Sequence, residues 1–283
     1  MRHTLKITAT LVSAAALTLG LAACGSDSEP AAAGAKADAT EPLTVAATPV
    51  PHAEILTFVK DHLAADAGLK LEVKEFTDYV LPNTATQDGQ VDANFFQHQP
   101  YLDDFNKKQG TDIVPVATVH LEPLGVYAKG VDDLSKIRSG ATVAIPNDTT
   151  NGGRALLLLA ENGLIELKDG AGTDATQADI TDAKGLKFKE LEAATLPRAL
   201  DEVDAAVING NYALEAGLTP AEDALATEKA DGNPYANILA VKAGNEDDPR
   251  VQKLVKLLNS DEVKKFIEDE YQGSVIPAFG AAE

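Results

Sequence analysis

Two stretches of this chain concentrate side chains able to hold a small ligand. In the first, Asp78-Tyr79-Val80-Leu81-Pro82-Asn83 is followed by Asp92-Ala93-Asn94-Phe95-Phe96-Gln97-His98-Gln99-Pro100-Tyr101-Leu102. Four of the 14 Phe and Tyr residues (Tyr79, Phe95, Phe96, Tyr101) fall within 23 positions, together with His98, one of five histidines. Aromatic faces joined to a few polar tips give a pocket both apolar area and orientation. The same rings can instead be core, but His98 and the amides then need buried partners.

The second stretch, Ile145-Pro146-Asn147-Asp148-Thr149-Thr150-Asn151-Gly152-Gly153-Arg154, leads from a strand into a helix. A helix N-terminus presents unpaired N–H groups, the glycines permit close approach, and Arg154 adds a planar fork that can grip a carboxylate. The plainer alternative is that Thr150 or Asn151 caps the helix and Arg154 is solvated. No Walker-type Lys-Ser or Lys-Thr and no Gly-x-Gly-x-x-Gly is present, which argues against phosphate. A metal site is the runner-up, since His52, His98 and His120 could join a carboxylate, although no short His spacing supports it. The pairs Asp103-Asp104, Asp132-Asp133 and Asp247-Asp248 read as solvated surface, and no Ser or Cys nucleophile signature stands out. The expectation is therefore a non-enzyme without cofactor or resident metal.

These residues need a frame that brings them together. Leu43–Ala47 reads as a strand ended by Pro49 and Pro51, followed by a helix carrying Ile55, Leu56, Val59 and Leu63 and closed near Gly68. Residues 69–76 alternate as a second strand, so the chain opens with a parallel β-α-β unit. Residues 141–145 read as a strand, Pro146–Thr150 as a turn, and Arg154–Asn162 as a helix stopped at Gly163. Residues 205–208 form an apolar strand ending at Asn209, with a helix after it; Pro249 starts another helix and Ser260 caps the last. The class is α/β, without internal repeats. In open α/β sheets ligands sit at the carboxyl ends of strands, which directs attention to 48–52, 77–82, 94–101, 146–154 and 209–212.

Composition limits what this frame can serve. The chain has 283 residues and a net charge of −20, so it repels nucleic-acid phosphates and anionic membrane surfaces. A basic start, an apolar run from Ile7 to Leu21 and then Leu21-Ala22-Ala23-Cys24 form a secretory signal ending in a lipobox-like tetrapeptide, with the single cysteine as the lipidated residue. The run is too short to remain as a spanning helix. Residues 1–23 carry Arg2 and Lys6 and no acid, so the remainder holds 22 basic against 44 acidic side chains, a charge of −22. Residues 24–41 comprise Cys24 and a tether of small and polar residues without an anchor for a core.

The segments 78–83, 92–102 and 143–148 resemble those of the methionine-binding lipoprotein family, the NlpA-type substrate-binding proteins of methionine ABC importers. Asn151-Gly152-Gly153-Arg154, Leu191-Glu192-Ala193, Leu196-Pro197-Arg198 and Ala206-Val207-Ile208-Asn209 are similar to that family in the same order, over about residues 43–279. The resemblance implies a two-lobed periplasmic-binding-protein-like α/β fold of type II with two hinge-crossing strands. Lobe one would be 42–125 plus 238–283, and lobe two 126–237. By position, Tyr79, Phe96 and His98 would enclose a methionine side chain, and Asn151, Arg154 and Asn209 would hold its carboxylate and amino group. Phe95 stands where a smaller residue is expected, which would alter the pocket edge. Implied partners are L- or D-methionine, an ABC importer permease with its ATPase, and the membrane through a lipid anchor on its outer face, the protein itself being a monomer. The alternative is a metal-binding or short-peptide-binding lipoprotein of another importer.

Overall fold

Leu43–Ala47 is apolar except for Thr44, and in the computed structural model, which describes residues 41–281, it forms strand β1 with four of its five residues buried. Helix α1 (Glu54–His62) buries Ile55, Leu56 and Val59 at the predicted spacing. The next strand, β2 (Leu71–Glu75), is shorter than the alternation suggests, because Leu69 packs into the core from the turn that Gly68 makes at φ 60°. After α2 (Leu81–Gln87) comes β3 (Ala93–His98), buried along its whole length. β1 pairs in parallel with both β2 and β3, as the opening β-α-β unit requires.

α3 (Gln99–Gln109) leads to β4 (Ile113–Leu121), and the chain then crosses to a second sheet, entering it at β5 (Gly125–Tyr127). There follow β6 (Thr142–Pro146), α4 (Thr149–Glu161), a small ribbon of β7 (Glu166–Leu167) and β8 (Ile180–Asp182), and β9 (Lys187–Leu191). α5 (Leu196–Ala199) precedes β10 (Ala205–Ile208), α6 (Gly210–Glu215), α7 (Pro220–Asp223) and β11 (Ala226–Thr227). The chain returns to the first sheet at β12 (Ala236–Lys242) and ends with α8 (Pro249–Leu258), α9 (Asp261–Tyr271) and β13 (Ile276–Gly280). The sheets run β13-β4-β12-β3-β1-β2 and β11-β5-β10-β6-β9, each with its own apolar core. The fold is two-lobed α/β, crossed twice by the chain.

Two local expectations change. α4 begins at Thr149, five residues before Arg154, because the Asp148 carboxylate accepts the Asn151 N–H and caps the helix there. Gly152 and Gly153 thus lie inside the helix. Their purpose is packing: a Cβ on Gly153 would sit 2.4 Å from the Thr173 carbonyl oxygen. The pair Asp247-Asp248 is not simply solvated, since Asp248 caps α8 through the Arg250 N–H and pairs with the buried Arg250 guanidinium. Ser260 caps α9 as expected.

Candidate functional site

The carboxyl end of β3 lies opposite the N-termini of α4 and α6, and between them is a narrow cleft whose non-atom space, open solvent included, is about 330 Å³. It is lined by all six residues singled out above: Tyr79, Phe96, His98, Asn151, Arg154 and Asn209. Gln97, Tyr101, Glu122, Gly210, Asn211 and Asn237 complete the wall.

The aromatic side is one packed group. The Tyr79 ring lies 6.0 Å from Phe96, 5.7 Å from Tyr101 and 5.0 Å from Tyr212 between ring centres. Tyr79 Oη donates to Asn211 Oδ1, and Tyr212 Oη donates to the Thr77 carbonyl at 3.2 Å, so hydrogen bonds span the cleft. Phe95 takes no part in it. It is fully buried in the first-sheet core, 4.7 Å from His52 and 5.3 Å from His120 between ring centres, so the expected change at the pocket edge does not arise from it. Asn83, Asn94 and Gln97 satisfy one another in a buried amide network with Thr86, which supplies the partners that burial demands.

His98 ends β3 and caps α3. Its Nδ1 accepts the Tyr101 N–H at 3.2 Å, which leaves the ring proton on Nε2, donated to Asn151 Oδ1 at 3.2 Å. Burial and the nearby Arg154 charge hold its pKa down at about 3, so the ring is neutral. Asn151 is a hub: its amide nitrogen donates to Asp148, and its oxygen also accepts from Asn209 Nδ2 at 2.9 Å. Asn209 Oδ1 and Asn211 Nδ2 are buried without partners among the described residues. An acceptor and a donor left idle on one cavity wall suit a guest carrying both kinds of group.

Arg154 is 3 % exposed, which overturns the solvated alternative. Its Nε donates to Glu228 Oε1 at 2.7 Å, its Nη2 to Glu228 Oε2 and to the Glu122 carbonyl at 2.8 Å, and its Cζ lies over the Tyr235 ring, 4.2 Å from the ring centre. Nη1 makes no hydrogen bond among the described residues. A fork fixed on one edge presents the remaining nitrogen with little orientational freedom to lose.

Glu122, Glu228, Asn211, Tyr235 and Asn237 escaped the sequence reading as individual contributors. Glu122 follows directly after β4 in His120-Leu121-Glu122-Pro123 and Asn237 lies within β12, and neither carries a local signal that sets it apart. His52 and His120 do meet a carboxylate, that of Glu122, with the three potential ligand atoms within 4.8 Å. His98 does not join them, so the three histidines of the runner-up metal reading are not assembled.

The features together describe a binding protein of two α/β lobes with an amphipathic cleft between them. The chain belongs to the NlpA lipoprotein family, whose model matches residues 43–279. It is 41% identical over 263 residues to the methionine-binding lipoprotein MetQ of Bacillus subtilis, covering 91% of this chain and 93% of that one. It is 43% identical over 212 residues to the D-methionine-binding lipoprotein MetQ of Escherichia coli, covering 74% of this chain and 78% of that one. A nutrient-binding protein from Burkholderia cenocepacia, solved bound to methionine, superposes with a TM-score of 0.81 at 47% identity, covering 84% of this chain and 100% of that one. Among the described residues no helix is long and apolar enough to cross a membrane.

Proposed function

We propose that this protein captures methionine between its lobes and delivers it to an ABC importer. The observation that carries the reading is the cleft itself: an aromatic wall of Tyr79, Phe96 and Tyr101 faces Arg154 Nη1, the idle amide atoms of Asn209 and Asn211, and the Glu122 carboxylate. A zwitterion with a soft apolar side chain matches that division. Its carboxylate meets Arg154 and the Asn211 amide, its ammonium meets Glu122 and the Asn209 oxygen, and its thioether lies against the rings. The methionine-bound relative from B. cenocepacia supports the choice of ligand.

In this reading residues 42–125 with 238–283 and residues 126–237 close around the ligand as lobes, and the closed monomer is what a permease with its ATPase senses. Cys24, which lies outside the described residues together with the signal segment and nearly all of the tether, carries the lipid that holds the protein at the outer face of the cytoplasmic membrane. Mass spectrometry of ligand released by denaturing the purified protein tests the reading. Methionine is expected; a short peptide in its place would favour the alternative substrate class, and a metal ion without an organic ligand would refute the proposal.

A further inference from the structure

We infer that His52 and His120 are positioning residues for binding: their paired imidazoles hold the Glu122 carboxylate ionised for a ligand's ammonium, so that the cleft selects free amino acids over analogues lacking the amine. The inference rests on reading the cleft as an amino-acid site.

Glu122 lines the cavity, whereas neither imidazole does. Its Oε1 accepts from His120 Nε2 at 2.8 Å and lies 3.3 Å from His52 Nε2, which also donates to Asn237 Oδ1 at 3.0 Å. His52 Nδ1 accepts a hydrogen bond from the Thr48 hydroxyl at 2.7 Å. Each ring therefore carries its proton on Nε2 and is a neutral donor. Behind the carboxylate the rings pack 4.8 Å apart between centres, with Phe95 against both, and the two imidazoles are fully buried.

A carboxylate this deeply buried is driven toward its protonated form, and donors to the anion oppose that drive. Burial raises the Glu122 pKa and the nearby Arg154 charge opposes this, while the imidazoles, held near 4 and 3 chiefly by their own burial, stay neutral donors. Gly210 keeps the approach open, since a Cβ there would lie 2.9 Å from Glu122 Cβ.

The test compares methionine with its desamino analogue, a methylsulfanyl-butanoate, by calorimetry on the full mature chain and on His52→Phe, His120→Phe and His120→Gln. Each phenylalanine variant should weaken methionine about tenfold or more while leaving the analogue within about twofold, and His120→Gln, which retains an N–H donor, should recover most of the loss. Equal losses for both ligands would assign the histidines to packing alone and overturn the inference, as would unchanged methionine affinity in both phenylalanine variants. Stoichiometric zinc in the purified wild type that disappears in His120→Phe would overturn it too. If His120→Phe does not fold, His52→Phe and His120→Gln decide the question through the same comparison. A wild type that binds neither compound would overturn the amino-acid reading itself and this inference with it.

Discussion

Replacing Arg154 with alanine removes two effects that the structure allows to be separated. In the folded protein the guanidinium donates twice to Glu228, whose side chain is 10 % exposed, and once to the Glu122 carbonyl. Its loss leaves the Glu228 carboxylate with only the Leu124 N–H at 2.9 Å and a long contact of 3.4 Å to Asn233 Nδ2. Breaking a buried ion pair by deleting one partner costs about 3–5 kcal/mol, so thermal stability falls. Independently, a ligand carboxylate deprived of its charged partner costs about 2–5 kcal/mol, a loss of roughly 30- to several-thousand-fold in methionine affinity. The double variant Arg154→Ala with Glu228→Gln removes the stranded charge and should recover stability without recovering affinity. Arg154→Lys should restore affinity only in part, because an ammonium cannot occupy Glu228 and the cleft with one planar fork. Calorimetry and thermal melts on all four proteins check this. Methionine affinity unchanged in Arg154→Ala, or restored in the double variant, would refute the placement of the ligand carboxylate.

Gly153→Ala should destabilise by about 1–3 kcal/mol or more, since its Cβ would meet the Thr173 carbonyl oxygen at 2.4 Å and backbone yields poorly; an unchanged melting temperature would contradict the packing argument. His52, His98 and His120 are held to about 4, 3 and 3 by burial, against an ordinary value of 6.5. As pH falls the unfolded chain therefore takes up protons first, so stability is full above about pH 6.5 and is lost progressively below it, by about 2 kcal/mol per histidine near pH 5. Glu122, with its raised pKa, works in the opposite sense but is a single group; a ligand-free melting temperature that stays flat from neutral to mildly acidic pH would contradict the account. Methionine sulfoxide should bind about five- to 150-fold more weakly than methionine, because its oxygen must leave water and the nearby donors are spent, His98 Nε2 on Asn151 and Tyr79 Oη on Asn211. Competition titration showing equal affinities would remove the aromatic group from the side-chain pocket.

The strands were legible where burial leaves an uninterrupted apolar run, as in Leu43–Ala47 and Ala205–Ile208, and the helices where a cap or Pro marks the start, as at Ser260 and Pro249. Gly152 and Gly153 look like loop residues in the sequence, which hides the start of α4 at Thr149, and only the tertiary approach of Thr173 explains why glycine stands inside a helix. The aromatic and arginine components of the site were legible because their types are unusual for their surroundings. Glu122 and Glu228 were not, since 44 acidic residues give no local reason to select two. What distinguishes them is burial against Arg154 and the histidines, a property of the fold. Phe95 shows the converse: adjacent to Phe96 in sequence, it falls among core residues because β3 is buried on both faces.

Methionine is the ligand proposed to sit between the lobes. The most direct measurement is calorimetric titration of L- and D-methionine, with leucine as a control, into mature protein that has been unfolded, dialysed free of ligand and refolded. Saturable binding of one methionine per chain is expected, with weaker binding of leucine, which lacks the polarizable sulfur. Absence of methionine binding by a correctly refolded protein, or indistinguishable binding of leucine, would contradict it.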